Sequence, residues 1–183
     1  MDNFIQIDSN VNFSQIVDEI NFHPDLWDVD KLRQSFPGTP HKDTRSIILR
    51  FNDTEDLEGV VDDMECYWRM EAYELPKTLS LVYDFARATR ADRIGRVMFT
   101  ELPAGGVVEP HEDMGAPAHY YERFHIVVQA DPGVVFQTGE EKVEMVSGDV
   151  WWFNNEETHS IINSSETTRI HLIIDLKTDL YGD

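Results

Sequence analysis

Apolar residues in the first half of the chain follow two different periods. In "NFSQIVDEINF" they recur at helical spacing behind a polar capping residue, which predicts a helix through Phe13, Ile16, Val17 and Ile20. "PKTLSLVYDFARATR" carries the same period and begins with Pro76, which suits the first turn of a helix. We therefore predict two helices in this half.

The segment between these helices carries loop and strand signals instead of a helical period. "HPDLWDVDKLRQSFPGTPH" is interrupted by three prolines and a glycine, so we predict that it is mostly loop. "SIILRF", from Ser46 to Phe51, is rich in β-forming residues and predicts a strand.

After Gly95 the pattern changes to short β-rich runs separated by Gly, Pro, Asn or acidic turns, with no helical period between them. Such spacing indicates an antiparallel sandwich or barrel, and "QTGEEK" predicts a hairpin turn within it. The 183 residues suit a single domain. We divide it into mixed helix and strand support over 1–94 and an all-β core over 95–183.

Two of the β-rich runs place an arginine and a histidine on the same face. Arg123 and His125 alternate with apolar residues in "RFHIVVQ", and Arg169 and His171 do so in "TRIHLIIDL". If the apolar faces pack against helices or a second sheet, the polar faces point into the interior. A buried arginine needs an anionic partner, which is either a carboxylate of the protein or a bound ligand.

A candidate metal site lies in "EPHEDMG", where His111 and Asp113 are two positions apart and can point the same way. Non-haem iron enzymes that activate O₂ bind the metal through two histidines and one carboxylate. The second histidine has to come from elsewhere in the chain. His159, just before a β-rich run, is our candidate, and His119 is the alternative.

The composition of the chain disfavours some classes of binding partner and indicates a compartment. The formal net charge of −20 disfavours binding to nucleic acid and to anionic lipid. Cys66 is the single cysteine, so no internal disulfide is possible and a reducing compartment is expected. The chain shows no signal-peptide pattern and no apolar run long enough to cross a bilayer. We expect a soluble, cytoplasmic protein.

Taken in order, the motifs resemble a known family. "ELPAGGVVEPHED", "ERFHIVV", "SGDVWWFNN", "THSIINSS" and "TRIHLIID" are similar to the aspartyl/asparaginyl β-hydroxylase-like branch of the Fe(II)/2-oxoglutarate-dependent oxygenases, over roughly Arg96 to Asp175. The resemblance implies a mainly β, cupin-like fold, the double-stranded β-helix or jelly roll, with supporting N-terminal helices.

The resemblance also implies roles for particular residues. His111, Asp113 and His159 match the Fe(II) ligands, and Arg169 matches the arginine that binds the distal carboxylate of 2-oxoglutarate. Three more residues match positions near the co-substrate: Arg123 and His125 near its other carboxylate, and Thr100 near an assisting hydroxyl. The implied activity is O₂-dependent hydroxylation of an amino acid, free or in a peptide, with release of succinate and CO₂.

Two other interpretations stay open at this point. The first is a metal-binding cupin without oxygenase activity, acting as a sensor or an isomerase. The second is an acidic interaction module in which the histidines and arginines only pack. For the substrate we favour a free amino acid over a short basic or neutral peptide, and we expect its contacts at His41, Arg45 or the 111–122 loop.

Overall fold

The computed structural model describes residues 3–53 and 62–180. Its helices are α1 (Ser14–Phe22), α2 (Leu32–Ser35), α3 (Met70–Glu74), α4 (Pro76–Ala88) and α5 (Ala116–Tyr120), with a short 3₁₀ helix at Pro24–Leu26. The predicted helices correspond to α1 and α4, so both predictions are confirmed. No helix in this described part of the chain has the length and apolar character that spanning a membrane requires.

The strands form two antiparallel sheets. They are β1 (Phe4–Asp8), β2 (Arg45–Phe51), β3 (Tyr67–Trp68), β4 (Arg93–Leu102), β5 (Val107–His111), β6 (Glu122–Gln129), β7 (Val134–Thr138), β8 (Glu141–Glu144), β9 (Val150–Phe153), β10 (His159–Asn163) and β11 (Arg169–Lys177). The larger sheet has the order β1-β9-β6-β11-β4-β2-β3, and the smaller has β5-β10-β7-β8. The predicted strand near residues 46–51 is β2, and the predicted hairpin joins β7 to β8.

The outer face of the larger sheet packs against helices. Apolar side chains that alternate along β6 and β11 belong to one buried cluster with residues of α1, α3 and α4. Within that cluster, Phe124, Ile126, Leu172 and Ile174 are at most 1% exposed. Because successive residues of a strand point to opposite faces, the arginines and histidines of β6 and β11 face inward, between the two sheets.

A second buried cluster fills the space between the sheets, with Val127 and Phe153 from one sheet and Val108, Phe136 and Ile161 from the other. Two facing antiparallel sheets with a helical layer outside one of them form a double-stranded β-helix, as the resemblance implies. The inward arginines and histidines lie beside this cluster, so the fold places polar groups in an apolar interior.

Several elements lack a clear signal in the sequence, among them one strand and three short helices. The edge strand β1 pairs with β9 although it is far from it in sequence. The helices α2, α3 and α5 have four or five residues each, too few for a helical period to be visible. The segment predicted as mostly loop contains α2, and this short helix turns out to position a side chain of the candidate site.

Candidate active site

The pairing of β5 with β10 brings two distant histidines together. His159 is the direct cross-strand partner of His111 in the antiparallel register. Their ring centroids are 4.2 Å apart. Asp113 follows two residues after the end of β5, so the turn of the chain places its carboxylate beside both rings.

The ligand atoms of these three residues converge on one point. One nitrogen of each histidine and one carboxylate oxygen of Asp113 all lie within 4.8 Å of one another. In both histidines Nδ1 is oriented by a backbone carbonyl, that of Glu109 for His111 and that of Glu157 for His159. Nε2 of His111 is buried and has no hydrogen-bond partner in the described part of the chain. Such a nitrogen is poised to bind something that the protein does not supply.

The protonation states also suit a metal. Burial lowers the pKa of His111, and lowers that of His159 to about 4, so both rings are neutral near neutral pH. Burial alone would raise the pKa of the Asp113 carboxyl, but the Arg123 guanidinium holds it below its ordinary value. Two neutral imidazoles and one carboxylate are the donor set of mononuclear non-haem iron. These residues therefore fit Fe(II).

Arg123 is held by two carboxylates. Its Nε and Nη2 donate to the two oxygens of Asp175 at 2.7 and 2.8 Å, and its Nη1 contacts Asp113. Against the effect of burial, both carboxylates raise the pKa of Arg123. Arg123 lines the same small cavity as the three candidate ligands. Its closest polar contacts are nevertheless within the protein, where it orients the carboxylate of Asp113.

Arg169 has a different environment. It is 1% exposed, and in the described part of the chain it forms no ion pair with a carboxylate. Its Nη1 lies 3.4 Å from Thr100 Oγ1 and its Nη2 lies 2.8 Å from His171 Nδ1, while its Nε has no partner among the described residues. Burial lowers the pKa of Arg169 to about 9. A buried guanidinium without a counter-ion is costly, which indicates a site for an anion.

His125 lines the same small cavity as Arg169. It is buried, with its Nδ1 3.0 Å from Nδ1 of His171, and it lies edge-on to Phe136 and Phe153. Burial lowers the pKa values of His125 and His171 well below the ordinary value, so both rings are neutral. His125, Thr100 and Arg169 line the cavity that contains the three candidate metal ligands.

Next to this small cavity lies a larger one of about 610 Å³, which opens beside His111 and Asp113. Its walls include Arg33 from α2 and His41, whose ring centroid is 4.9 Å from that of His111. Arg33 escaped the sequence analysis because its segment carries loop signals, and only the position of α2 in the fold shows that its side chain reaches the site.

Two side chains that the sequence analysis considered lie outside this cavity. Arg45 pairs with Asp28 and Glu101 with its side chain 48% exposed, and it does not line the cavity. His119, the alternative metal ligand, lies in α5 with its side chain 68% exposed. It pairs with Glu156, which lies in the loop before β10. The cavity does include the 111–122 segment, through Glu112, Met114 and Ala118.

Comparison with known proteins agrees with this arrangement. Residues 62–179 match the family model described as aspartyl/asparaginyl beta-hydroxylase. A solved oxidoreductase of the 2OG-Fe(II) oxygenase family from Burkholderia pseudomallei is similar over 92% of this chain and 91% of its own, with 14% identity and a TM-score of 0.59. The viral collagen prolyl hydroxylase of Paramecium bursaria Chlorella virus-1, solved with 2OG, is similar over 97% and 96%, with 10% identity and a TM-score of 0.58. At such identities the likeness shows the fold. No curated protein matches the sequence.

Proposed function

Because the chain belongs to the aspartyl/asparaginyl β-hydroxylase family, and is thereby a hydroxylase, we propose that it uses Fe(II), 2-oxoglutarate and O₂ to hydroxylate an amino acid, free or in a peptide, and releases succinate and CO₂. One observation carries this proposal. The buried Arg169, which has no carboxylate partner among the described residues, lines the same cavity as His111, Asp113 and His159. A metal site next to an unpaired interior cation suits a co-substrate that both chelates a metal and carries a second carboxylate.

In this proposal His111, Asp113 and His159 would hold the metal beside the cavity. Bound Fe(II) would supply the oxidation chemistry that inserts one oxygen atom of O₂ into a C–H bond of the substrate. The protein's contribution is orientation. The carbonyls of Glu109 and Glu157 fix the two imidazoles, and Arg123 fixes the carboxylate of Asp113.

The far carboxylate of 2-oxoglutarate is assigned to Arg169. Its planar guanidinium can form two parallel hydrogen bonds to a carboxylate, and Thr100 Oγ1 is close enough to donate a third. His125 is assigned to the wall beside the co-substrate. The resemblance implies that Arg123 lies near the other carboxylate of 2-oxoglutarate. Arg123 does line the cavity proposed for the co-substrate, but its pairing with Asp113 and Asp175 supports a positioning role instead.

The apolar surroundings exclude water from this chemistry. Phe136 and Phe153 pack against His125 and His159, and Val108, Ile161 and Ile173 line the same cavity. In such a setting a charged hydrogen bond to Arg169 is stronger than it would be in water.

The deciding experiment is a turnover assay with Fe(II) and 2-oxoglutarate, across free amino acids and short peptides. We expect succinate release that depends on O₂, and a product heavier by the mass of one oxygen atom in mass spectrometry. His119→Ala, altered at an exposed histidine outside the site, serves as the matched control and should keep full activity. Metal binding without O₂-dependent succinate would instead support the cupin without oxygenase activity.

A further inference from the structure

Arg33 is the second guanidinium of the site that finds no carboxylate among the described residues. Among the described residues its side chain donates one hydrogen bond, from Nη1 to Met98 Sδ, and sulfur is a weak acceptor. Burial lowers the pKa of Arg33 to about 10. A guanidinium offers five donors, so most of the hydrogen-bonding capacity of Arg33 is directed to whatever occupies the cavity.

The position of Arg33 relates it to the metal ligands. It lines the large cavity together with His111 and Asp113, and it also lines the smaller cavity beneath. A molecule bound to Arg33 would therefore lie next to the open face of the proposed metal site, where the substrate of a hydroxylase has to be.

Apolar side chains form one wall of the large cavity. Phe51 and Met98 belong to a buried cluster against which Leu32 and Phe36 pack, and all four line the cavity. Leu32 and Phe36 flank Arg33 at the two ends of α2. The site thus offers a cation and an apolar surface side by side, which suits a ligand with a carboxylate and an apolar body.

The local charge differs from the charge of the whole chain. The protein carries −20 overall, yet the cavity is lined by three arginines, Arg33, Arg96 and Arg123, and by two carboxylates, Glu112 and Asp113. Arg123 is neutralised by its two carboxylate partners, one of which is Asp113. The acidic surface repels a large anion, whereas a small molecule with a single carboxylate meets the local field of Arg33.

We propose that Arg33 binds the α-carboxylate of the primary substrate, and that this substrate is a free amino acid with an apolar side chain. The inference rests on the proposed function and extends it to a substrate class. An internal peptide residue has an amide where the free amino acid has its carboxylate, and it would leave Arg33 unpaired. Glu112, at the rim of the cavity and bonded to Thr158, is available for the ammonium group.

The test compares acids with their carboxamides. Wild-type protein loaded with Mn(II) and 2-oxoglutarate is titrated by calorimetry with leucine, isoleucine, valine, methionine, phenylalanine and proline, and the tightest binder is then compared with its own carboxamide. We expect the acid to bind at least about tenfold more tightly than the amide. Arg33→Met, which keeps the apolar bulk, should abolish that difference, and Arg33→Lys should keep part of it.

Arg45→Met is the matched control, because Arg45 is an arginine of the neighbouring segment that pairs outside the cavity. It should bind the acid as wild type does. Circular dichroism and thermal unfolding verify that each variant is folded. The Michaelis constant for 2-oxoglutarate in Arg33→Met, measured by succinate release without substrate, should rise by a smaller factor than the affinity for the amino acid falls.

Three results would overturn the inference: no apolar amino acid binds the wild type, acid and amide bind equally, or Arg33→Met mainly raises the Michaelis constant for 2-oxoglutarate. The last would assign Arg33 to the co-substrate. Failure of the proposed function is distinct, since it would abolish succinate release in every form of the protein, while the calorimetric comparison at Arg33 would still report on carboxylate binding.

Discussion

Nη2 of Arg169 lies 2.8 Å from Nδ1 of His171, two residues further along β11. A guanidinium can only donate, so His171 accepts at Nδ1 and carries its proton on Nε2. Nδ1 of His125 also lies 3.0 Å from Nδ1 of His171. One imidazole with a defined tautomer thus holds the guanidinium in place and leaves its other edge to a ligand.

The first prediction concerns Arg169. Replacing it with Ala removes the charged hydrogen bonds to the far carboxylate of 2-oxoglutarate, which are worth roughly 2–5 kcal/mol when desolvated. The Michaelis constant for 2-oxoglutarate should rise at least about thirtyfold. Arg169→Lys should recover part of the loss, because an ammonium lacks the planar fork. Steady-state succinate release measures both, and unchanged kinetics in Arg169→Ala would remove the arginine from the co-substrate site.

The second prediction concerns the metal. His159→Ala removes one of three converging ligands, so the protein should no longer retain Mn(II), the inert substitute for Fe(II), at one ion per chain. Calorimetric titration with Mn(II) measures the stoichiometry. His119→Ala is the control and should bind as wild type does. If His159→Ala still bound one Mn(II) at wild-type affinity, His159 would not be a ligand.

The third prediction concerns the Arg123–Asp175 pair. Both side chains are largely buried, at 13% and 4% exposure, so Asp175→Asn leaves an interior charge with one partner fewer. Removing one member of a buried pair costs about 3–5 kcal/mol, and we expect a loss of this size in urea unfolding. The exposed pair of Arg45 with Asp28 offers the comparison, since Arg45→Met should cost less than about 1 kcal/mol. Equal costs in the two variants would contradict a structural role for the buried pair.

The fourth prediction concerns pH. Burial raises the pKa of the Cys66 thiol from its ordinary value of 9.0 to about 11. In the unfolded chain the thiol ionises near its ordinary value while the native thiol stays protonated, so stability falls as the pH rises from 9 towards 11. The loss should be smaller in Cys66→Ala, in which nothing titrates at this position. Urea unfolding of both proteins on either side of pH 9 provides the measurement, and parallel curves would show that the thiol is not shielded.

The chemistry of the site could be predicted largely from the sequence because strands impose a simple period. Alternation along β6 and β11 places Arg123, His125, Arg169 and His171 on the inward face, and the structure has all four there. The spacing of His111 and Asp113 predicts convergence, and the β5–β10 register explains why His159 joins them. The assignment of roles to these residues stays a prediction.

What the sequence could not predict depends on long-range packing. The partner of Arg123 could have been any acidic residue or a ligand, and only the β6–β11 register places Asp175 directly opposite it. Arg33 was missed for a similar reason. A four-residue helix has no period to detect, and its contact with Met98 joins positions 65 residues apart. Pairings of this kind are decided by the whole core rather than by local pattern.

The place of β11 in the sheet has a consequence for biosynthesis. This strand lies between β6 and β4, yet it comes after both of them, and after every other strand of the described residues, in the chain. During translation the two halves of the larger sheet therefore emerge first with their inner edges unpaired, and such edges attract strands of other chains. Any nascent chain that stalls before Arg169 lacks both the joining strand and this buried arginine. Ribosome-bound intermediates of this protein should accordingly be a preferred target for chaperones.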